Sequence, residues 1–415
     1  MPILLQINTT LNSGSTGRIA EQISLMAEDG GWNCYIAHGA RYVNSSQIKS
    51  IQIGTKLGNI IHAIMGEYLG MHGFGSTLAT YRFIRKVKKI KPDIIHLHNL
   101  HGYYLNISVL FKYLAKANIP VVWTLHDCWS FTGHCTHFES KGCYKWKTEC
   151  GHCPLLMLQY KSRLIDRSKR NFLIKKNLYS QIKNMTIVPV SNWLGNLVND
   201  SILNKHNIKV IHNGIDLDLF KPTESNIRER LEIQENKKMI LGVVASGFKG
   251  KKEFVALSKD TSYQIVLVGI RKDWMNDVPD NIICIPRTNS QKELAEYYSA
   301  ADVFVNPTQD DTFPTTNIES IACGTPVVTY NAGGSPEILD EHTGIVVNRD
   351  DINALHKAID SILANGKQYY LNACRNRAVQ NYNKNERFRD YLNLYSELLR
   401  KHTDQRIIRK DSKSI

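Results

Sequence analysis

The sequence lacks both a membrane-spanning segment and a secretory signal. None of its apolar runs reaches the about 20 residues that a membrane-spanning helix needs. Residues 1–8 form an apolar run, but this run has no basic flank and ends in polar residues, unlike a secretory signal. We therefore expect a cytoplasmic protein, in which the nine cysteines do not form a disulfide framework.

The sequence also lacks the glycine pattern of dinucleotide-dependent dehydrogenases. Residues 8–22 read NTTLNSGSTGRIAEQ, which is not Gly-x-Gly-x-x-Gly, and no acid ends the second predicted strand. A GSTG loop that opens a helix nevertheless suits a phosphate or sugar that approaches the backbone closely. Gly14 and Ser15 are therefore candidate ligand-binding residues.

Aromatic residues are scarce in the two strongly basic segments. The formal net charge is +14, and residues 84–91 hold five basic residues and no acid, while residues 161–176 are rich in lysine and arginine. We predict that each segment forms one helix face. RNA recognition needs aromatic residues among the charges, and the second segment contains only Phe172. An anionic membrane surface is the favoured partner, a solvated face is the alternative, and no nucleic acid is expected.

Short apolar runs alternate with helical patterns along most of the chain. At 415 residues two domains are expected, and this alternation predicts α/β domains with parallel sheets. The strand-like runs cover residues 2–7, 34–39, 92–98, 120–126 and 186–191 in the first half, and 237–246, 262–269, 280–286, 301–307, 325–330 and 343–348 in the second. We predict two doubly wound Rossmann-like domains, residues 1–205 and 206–385, with residues 386–403 crossing back to the first. The cleft between two such domains is the expected active site.

One helical segment of the first half carries a continuous apolar stripe. The segment is KLGNIIHAIMGEYLG, and its stripe is most simply explained as part of the core; it consists of Leu57, Ile60, Ile61, Ile64, Met65, Tyr68 and Leu69.

The stretch DDTFPTTNIESIACGTPVVTY, residues 310–330, combines a proline with two flanking acids. Proline is tolerated at a helix start and almost nowhere inside one, so Pro314 marks a start. Asp311 then lies in the loop before the helix, and Glu319 lies about one turn inside it. The free N–H groups of a helix start favour an anion, especially a phosphate. The alternative is a solvated loop acid and an ordinary surface glutamate.

This stretch and two further motifs resemble a known family. HNGIDLDLF at residues 212–220 and ELAEYYSAADVFVNPT at residues 293–308 precede it in the expected order. Together they resemble the retaining glycosyltransferases of family 4, which have the GT-B fold. The resemblance implies transfer of a sugar, with retention of anomeric configuration, from a nucleotide sugar to a glycan or lipid-linked acceptor. It implies polysaccharide biosynthesis and no cofactor beyond the nucleotide-sugar co-substrate.

The resemblance assigns roles to residues of the second half. Asp311, where the family usually has glutamate, should bind hydroxyls of the transferred sugar, and Glu319 should bind the ribose diol. The backbone around Thr312, Phe313 and Pro314 should face the sugar and the diphosphate.

Three lysines in VVASGFKGKKEF, residues 243–254, are candidates for the diphosphate. Lys249 matches a family lysine that contacts this group. No arginine precedes it as in the family, and Lys251 or Lys252 is a substitute.

Histidines follow two predicted strands of the first half. His126 in TLHD matches a family histidine beside the donor sugar, and Asp127 is a candidate to orient it. His96, His98 and His101 in HLHNLH are expected to border the acceptor side.

Two other classes of protein remain as alternatives. A nucleotide-sugar epimerase shares the GT-B fold but transfers nothing to an acceptor, and a basic nucleic-acid-binding protein would bind in a steeply salt-dependent way. DLD at residues 216–218 spells a metal motif of another glycosyltransferase fold, but it lies inside the Asn-Gly-Ile-Asp signature, so we read no catalytic metal from it.

Five of the nine cysteines fall between residues 128 and 153, in a long stretch without periodicity. Cys135, Cys143, Cys150 and Cys153 have the spacing C-x7-C-x6-C-x2-C, and the last pair suits a tetrahedral zinc ion. A structural zinc is one prediction for this loop, and reduced free thiols are the alternative.

Overall fold

The computed structural model describes residues 1–244 and 250–411, with side chains described up to residue 404. The chain forms two compact units. The first contains residues 1–211 and the chain from residue 388 onward, and the second contains residues 212–387.

The first unit is a seven-stranded sheet flanked by helices. All strand pairs are parallel, and the strand order is β3-β2-β1-β4-β5-β6-β7. The strands are β1 (Ile3–Asn8), β2 (Asn33–His38), β3 (Lys49–Gln52), β4 (Ile94–Leu97), β5 (Val121–Leu125), β6 (Met185–Pro189) and β7 (Asn207–Ile208). The helices are α1 (Gly14–Asp29), α2 (Lys56–Leu69), α3 (Thr77–Ile90), α4 (Ile107–Ala117), α5 (Ser168–Tyr179) and α6 (Asn192–Asn199).

The second unit repeats this scheme with a six-stranded parallel sheet, in the order β10-β9-β8-β11-β12-β13. The strands are β8 (Lys238–Val243), β9 (Tyr263–Val268), β10 (Ile282–Ile285), β11 (Val303–Asn306), β12 (Val327–Tyr330) and β13 (Gly344–Val347). The helices are α7 (Ile227–Arg230), α8 (Lys251–Leu257), α9 (Lys272–Met275), α10 (Gln291–Ala300), α11 (Thr315–Ala322), α12 (Ser335–Ile338), α13 (Ile352–Asn365) and α14 (Lys367–Asn381). The last helix, α15 (Lys384–Asp411), begins in the second unit and belongs to the first unit from residue 388 onward.

Both sheets reverse their strand order at one point, between β1 and β4 and between β8 and β11. Ligands of such sheets bind beyond the carboxyl ends of the strands, next to this reversal. The GSTG loop follows β1 and His98 follows β4, while the loop with Asp311 follows β11. The candidate residues therefore lie at the edges where this architecture binds ligands.

The boundary between the units lies six residues after the predicted one at residue 205. Short β7 lies beyond residue 205 yet pairs with β6, and Ile211 N–H donates to Pro189 O. These backbone bonds attach residues 206–211 to the first sheet.

The last helix, α15, packs into the core of the first unit. Phe388, Tyr391, Leu394 and Tyr395 are buried among residues of α1, β2 and neighbouring strands. The rings of Tyr395 and Trp32 meet edge to face at 5.7 Å. Apolar burial of these four side chains accounts for the return of the chain to the first unit.

The apolar stripe of α2 is not part of the core, so that prediction is wrong. Ile60, Ile61 and Ile64 are 44–53% exposed, whereas Asn59 and His62 on the opposite face are 1% exposed. His62 accepts a hydrogen bond from Gly75 N–H at 2.9 Å and contacts Ser76 Oγ through its other ring nitrogen at 2.9 Å. The polar face is thus held inward by hydrogen bonds, and the helix turns its apolar side chains outward.

The 42 residues between β5 and α5 contain only two short 3-10 helices, Glu139–Lys141 and Lys145–Lys147. A small aromatic core holds this segment, because the Trp146 ring packs on Phe131 and Phe138 at 5.0 and 5.1 Å.

The predicted single basic helix face over residues 161–176 is also wrong. Its first seven residues are irregular, and Lys175 of α5 is fully buried.

No helix among the described residues has both the length and the hydropathy that crossing a bilayer requires.

We predict that acid destabilises the first unit through its buried histidines, among them His62, His72 and His134. Burial lowers the pKa of His62, His72 and His134 to about 4, about 3 and about 4. Below the unfolded pKa of about 6.5 the unfolded chain binds protons that the folded chain does not, so stability falls as the pH falls from about 6.5 to about 4. Each histidine should cost about 2 kcal/mol at pH 5.

Urea unfolding at pH 7.5 and at pH 5 measures this loss. His72→Met should reduce the pH dependence, and His342→Met, at a side chain that is 65% exposed, should not change it. Equal stability of the unsubstituted protein at both pH values would contradict the burial of these rings as neutral groups.

Candidate active site

Pro314 directly precedes α11, which begins at Thr315 after the loop that follows β11. Its φ of −68° and ψ of 111° give an extended conformation, so the chain turns into the helix immediately after the proline. The side chains of Thr312 and Phe313 are buried beside it. The first N–H groups of α11 therefore lie at the carboxyl edge of the sheet, beside Asp311.

Backbone contacts with the loop after β12 hold Asp311 in place. Asp311 Oδ1 accepts a hydrogen bond from Phe313 N–H at 3.1 Å, and Asp311 O accepts one from Gly334 N–H at 3.1 Å. Gly333 has a φ of +58°, and a Cβ there would lie 1.7 Å from Asp311 O. Only glycine fits this position, so Gly333 and Gly334 determine the path of the loop.

Glu319 lies one turn inside α11 and is half-buried. The Tyr298 hydroxyl donates a hydrogen bond to Glu319 Oε2 at 3.1 Å. Burial and the nearby charge of Glu319 raise the pKa of Tyr298 well above its usual value, so the phenol keeps its proton. Tyr298 thereby fixes the orientation of the Glu319 carboxylate.

The signature segment HNGIDLDLF packs against the loop that precedes α11. The His212 ring stacks on Phe313 at 4.8 Å, with an angle of 15° between the rings. Asp216 accepts hydrogen bonds from the N–H groups of Asp218 and Leu219 and pairs with Lys384 Nζ at 2.6 Å. The first aspartate of DLD is thus a structural residue.

The predicted diphosphate lysine, Lys249, lies outside the described residues. Gly250 has a φ of +82°, and a Cβ there would lie 2.5 Å from Pro307 Cγ. Of the substitutes, Lys251 pairs with Asp277 at 3.0 Å, and Lys252 is exposed.

Gly14 and Ser15 lie at the start of α1, at the carboxyl end of β1 in the first unit, and both are exposed. Gly14 has a φ of +65°, and open space surrounds the position of a Cβ there. This helix start is accessible to a ligand.

Histidines of two neighbouring strand ends line one cavity in the first unit. His98, His101, His126 and Asp127 contribute to its wall. His98 Nδ1 and His126 Nε2 are 3.1 Å apart, and the two rings are stacked. The structure thus brings His126 together with two of the three histidines predicted to border the acceptor side.

Gln6 determines which nitrogen of His98 carries the proton. Gln6 Nε2 donates to Ala20 O and Ser24 Oγ, both at 2.6 Å, so Gln6 Oε1 is the atom that faces His98 Nε2 at 2.6 Å. Oε1 can only accept, hence His98 Nε2 carries the hydrogen.

The same reasoning extends to His126. Burial and the neighbouring histidines hold the pKa of His98 well below its usual value, so this ring is neutral and its Nδ1 accepts from His126 Nε2–H. Burial also lowers the pKa of His126, to about 4. His126 is therefore a neutral ring with its proton on Nε2 and an acceptor nitrogen at Nδ1.

Asp127 binds His101. Asp127 Oδ2 lies 2.7 Å from His101 Nε2, and Oδ1 accepts from Trp129 N–H at 2.8 Å. Burial would raise the pKa of Asp127, but His101 and the Trp129 N–H outweigh it and lower the pKa to about 2. His98 Nδ1 accepts the hydrogen bond that fixes the proton of His126 on Nε2, whereas we predicted Asp127 for the role of orienting His126.

The four loop cysteines do not form the predicted zinc site. Cys135, Cys143, Cys150 and Cys153 line one small cavity, but among the described residues no group of three or more metal-binding side chains is arranged to hold an ion. Cys135 and Cys153 are hydrogen-bonded to each other, and Cys150 Sγ accepts from Gly133 N–H at 3.3 Å. A structural zinc is therefore not supported.

Several residues of the sites were not predicted. Gln6 lies within a strand and Tyr298 within a helix, and their roles depend on contacts between distant segments, 92 residues apart for Gln6 and His98. Arg375 of α14 was also missed; it donates to Ala322 O at the end of α11 and to Phe220 O. The Gly-Gly pair at 333–334 was the one available signal, because paired glycines after a strand indicate a turn.

The chain forms two units, each with a parallel sheet and candidate ligand-binding loops at its carboxyl edge, which is the class of fold called GT-B. Residues 58–219 match the family model Glycosyltransferase Family 4, and residues 224–383 match the model Glycosyl transferases group 1. The chain belongs to these glycosyltransferases, which confirms the prediction of glycosyltransferase family 4 and of a transferase.

Relatives and solved structures agree with this assignment. A relative of Escherichia coli K12, named as a colanic acid biosynthesis glycosyl transferase, WcaC, is 25% identical over 95% of this chain and 100% of its own length. Sucrose-phosphate synthase from Thermosynechococcus elongatus superposes with a TM-score of 0.72 and 19% identity, covering 96% of this chain and 99% of that one. Anabaena HepE in complex with UDP-glucose has a TM-score of 0.64 and 14% identity, with coverages of 96% and 100%. The predicted fold class is confirmed.

We predict that His126 is the Nε2–H tautomer and that Gln6 maintains it. Long-range proton–nitrogen NMR of protein labelled with ¹⁵N-histidine should show His98 and His126 as neutral Nε2–H rings near pH 7. Gln6→Leu removes the acceptor of His98, and the nitrogen shifts of both rings should then move toward an average of the two tautomers.

The spectrum of His126→Gln identifies the ¹⁵N resonances of His126, because they are missing from it. His206, which hydrogen-bonds to the Tyr179 backbone, is the internal control, and its nitrogen shifts should not change in Gln6→Leu. A His126 ring protonated on Nδ1 in the unsubstituted protein would contradict the proposed order of hydrogen bonds.

Proposed function

We propose that this glycosyltransferase transfers a sugar from a nucleotide-sugar donor to a glycan or lipid-linked acceptor, with retention of anomeric configuration. The proposal includes a place in polysaccharide biosynthesis, as the name of the Escherichia coli relative suggests. It also includes action in the cytoplasm, at the inner face of the membrane.

One observation carries the proposal, namely the loop and helix start at residues 311–319. Asp311 is fixed before α11 by its contact with Gly334, and Glu319 is oriented one turn inside the helix by Tyr298. A diphosphate placed at the helix start would have one carboxylate on its sugar side and the other on its ribose side. A sugar nucleotide presents hydroxyls at both ends of a diphosphate, so it matches this order of groups.

Asp311 is proposed to accept hydrogen bonds from hydroxyls of the transferred sugar. Glu319 is proposed to accept hydrogen bonds from both hydroxyls of the ribose, because a carboxylate has two acceptor oxygens. The backbone of Thr312, Phe313 and Pro314 would face the sugar and the diphosphate. Anabaena HepE has been solved with UDP-glucose, which supports a sugar nucleotide for a protein of this fold.

Departure of a nucleoside diphosphate builds negative charge on its phosphate oxygens. The start of α11 contributes at most about 2 kcal/mol to stabilising this charge, or roughly thirtyfold in rate. A further positive group is needed, and Lys249 remains our prediction for it. No catalytic metal is part of the proposal.

The first unit would supply the remaining groups. Gly14 and Ser15 at the open start of α1 are proposed donor-binding residues. His126 is proposed to line the site beside the donor sugar.

An epimerase would bind the same donor and release no sugar to an acceptor. The matched family models and the named relative are glycosyltransferases, so the epimerase is not favoured. An acceptor-dependent release of the nucleoside diphosphate would separate the two activities.

Asp311→Asn tests the contact with the sugar. Asparagine keeps an oxygen for the Phe313 N–H, so the loop should hold, but it removes a charge-assisted hydrogen bond worth about 1.5–3 kcal/mol. The transfer rate should fall by at least about tenfold, while the affinity for UDP, which has no sugar to contact Asp311, should barely change.

Asp260→Asn is a matched control, because Asp260 precedes β9 and lies at the opposite edge of the same sheet. The assignment fails if the rate and the UDP affinity of Asp311→Asn fall together, because Asp311 would then act only on the loop. It also fails if neither quantity changes.

Glu319→Ala tests the contact with the ribose. The affinity for UDP, measured by calorimetry, should fall by about tenfold or more because a charged acceptor of two hydroxyls is lost. Tyr298→Phe should cause a smaller loss, since it removes only the group that orients the carboxylate. Glu341→Ala, at a side chain that is 85% exposed, is the control. Unchanged UDP affinity in Glu319→Ala would refute the assignment.

A further inference from the structure

The outer face of α2, defined by Leu57, Ile60, Ile61, Ile64, Tyr68 and Leu69, is apolar and open. These six side chains are between 37% and 67% exposed, although they lie on one short helix. Single exposed apolar residues need no explanation, whereas a contiguous group on one element marks an interaction surface.

The inner face of α2 prevents the helix from rotating to bury this surface. His62 is hydrogen-bonded inside, and a Cβ at Gly66 would lie 2.8 Å from the Tyr103 ring and 2.9 Å from the His72 ring. Rotation would force isoleucines into a space that admits only a glycine. The apolar face therefore stays outward in the folded protein.

A loop extends the apolar surface at the end of α2. Arg163 N–H donates to Glu67 O, and Arg163 Nε binds Glu67 Oε1, both at 2.7 Å. These bonds fix residues 161–167 beside α2, where Leu164 is 72% exposed and Ile165 is 45% exposed.

Exposed basic side chains lie on the two segments that adjoin the ends of α2. α3, whose Ala79 Cβ lies 3.4 Å from the Cβ position of Gly54 just before α2, contains no acid. It exposes Arg82, Arg85, Lys86, Lys88 and Lys89. On the other side, Lys161, Lys169 and Arg170 are exposed. α3 thus lies near the beginning of α2, and residues 161–170 lie near its end.

We propose that the outer face of α2 docks on a bilayer that contains anionic lipid, with its apolar side chains in the interface and the flanking lysines and arginines at the headgroups. A helix with an apolar face and adjacent basic residues has the composition of an interfacial membrane anchor. This proposal rests on the proposed function in so far as the acceptor is lipid-linked. Docking through α2 would bring the enzyme to the membrane that holds this acceptor.

Charge distinguishes this occupant from a second copy of the chain. A two-fold dimer through α2 would place the same surface on both partners and bring the basic side chains of each copy near those of the other. With a net charge of +14 per chain, that arrangement is repulsive, while an anionic bilayer is attractive.

Co-sedimentation with vesicles tests the proposal without any sugar substrate. The protein should bind vesicles of phosphatidylcholine with phosphatidylglycerol, bind pure phosphatidylcholine weakly, and lose binding as salt rises. Ile61→Asn with Ile64→Asn should weaken binding by at least about tenfold, since two apolar side chains no longer enter the interface. Arg82→Gln with Arg85→Gln, in the part of α3 that follows Ala79, should weaken binding to the anionic vesicles by roughly thirtyfold.

Tyr369→Asn, at a side chain of α14 that is 65% exposed, is the matched control and should bind as the unsubstituted protein does. Circular dichroism and UDP calorimetry of the α2 variant show whether the fold and the donor site are intact. Vesicle binding that persists in the Ile61→Asn, Ile64→Asn variant would overturn the proposal.

The remaining outcomes are also decisive. A dimer of the unsubstituted protein in analytical ultracentrifugation that becomes a monomer in the α2 variant, with no vesicle binding by either, would assign the surface to a second copy. Vesicle binding by a protein that binds none of UDP, GDP and ADP would refute the proposed function and leave the α2 proposal standing. UDP binding without vesicle binding would refute the α2 proposal alone.

Discussion

The backbone contact between the loop at residues 310–314 and the Gly333–Gly334 pair is the constraint on which the site of the second unit depends. Gly334 N–H holds Asp311 O, and the absence of a side chain at Gly333 lets the two loops touch. This contact fixes where Asp311 lies and where the chain enters α11. Thr312, Phe313 and Pro314 occupy the short loop between Asp311 and α11, and the position of Glu319 then follows from helix geometry.

The first unit uses buried polar groups in a comparable way. His96 contacts Tyr395 of α15 at 2.6 Å and Thr124 at 2.7 Å, and Thr124 in turn donates to Tyr391 at 3.1 Å. The last helix is therefore bound to the histidine-bearing strands by hydrogen bonds as well as by packing. Because buried polar groups without partners are costly, this network favours one arrangement of the histidines and one set of proton positions.

Much of the architecture could be predicted from local patterns. Eleven predicted strands correspond to β1, β2, β4, β5, β6 and β8–β13, because fully buried strands of parallel sheets appear as short apolar runs. The two strands that were missed, β3 and β7, are edge strands with exposed residues, and β7 has only two residues. The helix start after Pro314 was predictable because proline restricts the backbone wherever it occurs.

The sequence by itself determined the alternation of strands and helices, the glycosyltransferase family, and the order of acid, proline and glutamate around α11, since each depends on neighbouring residues. Tertiary structure alone decided that α2 turns its apolar face outward and that four cysteines share a cavity without forming a metal site. It alone also decided that Gln6 sets the proton of His98 and that Gly333 holds Asp311. These outcomes depend on contacts between residues far apart in the chain, and periodicity and spacing carry no information about which partner a side chain will meet.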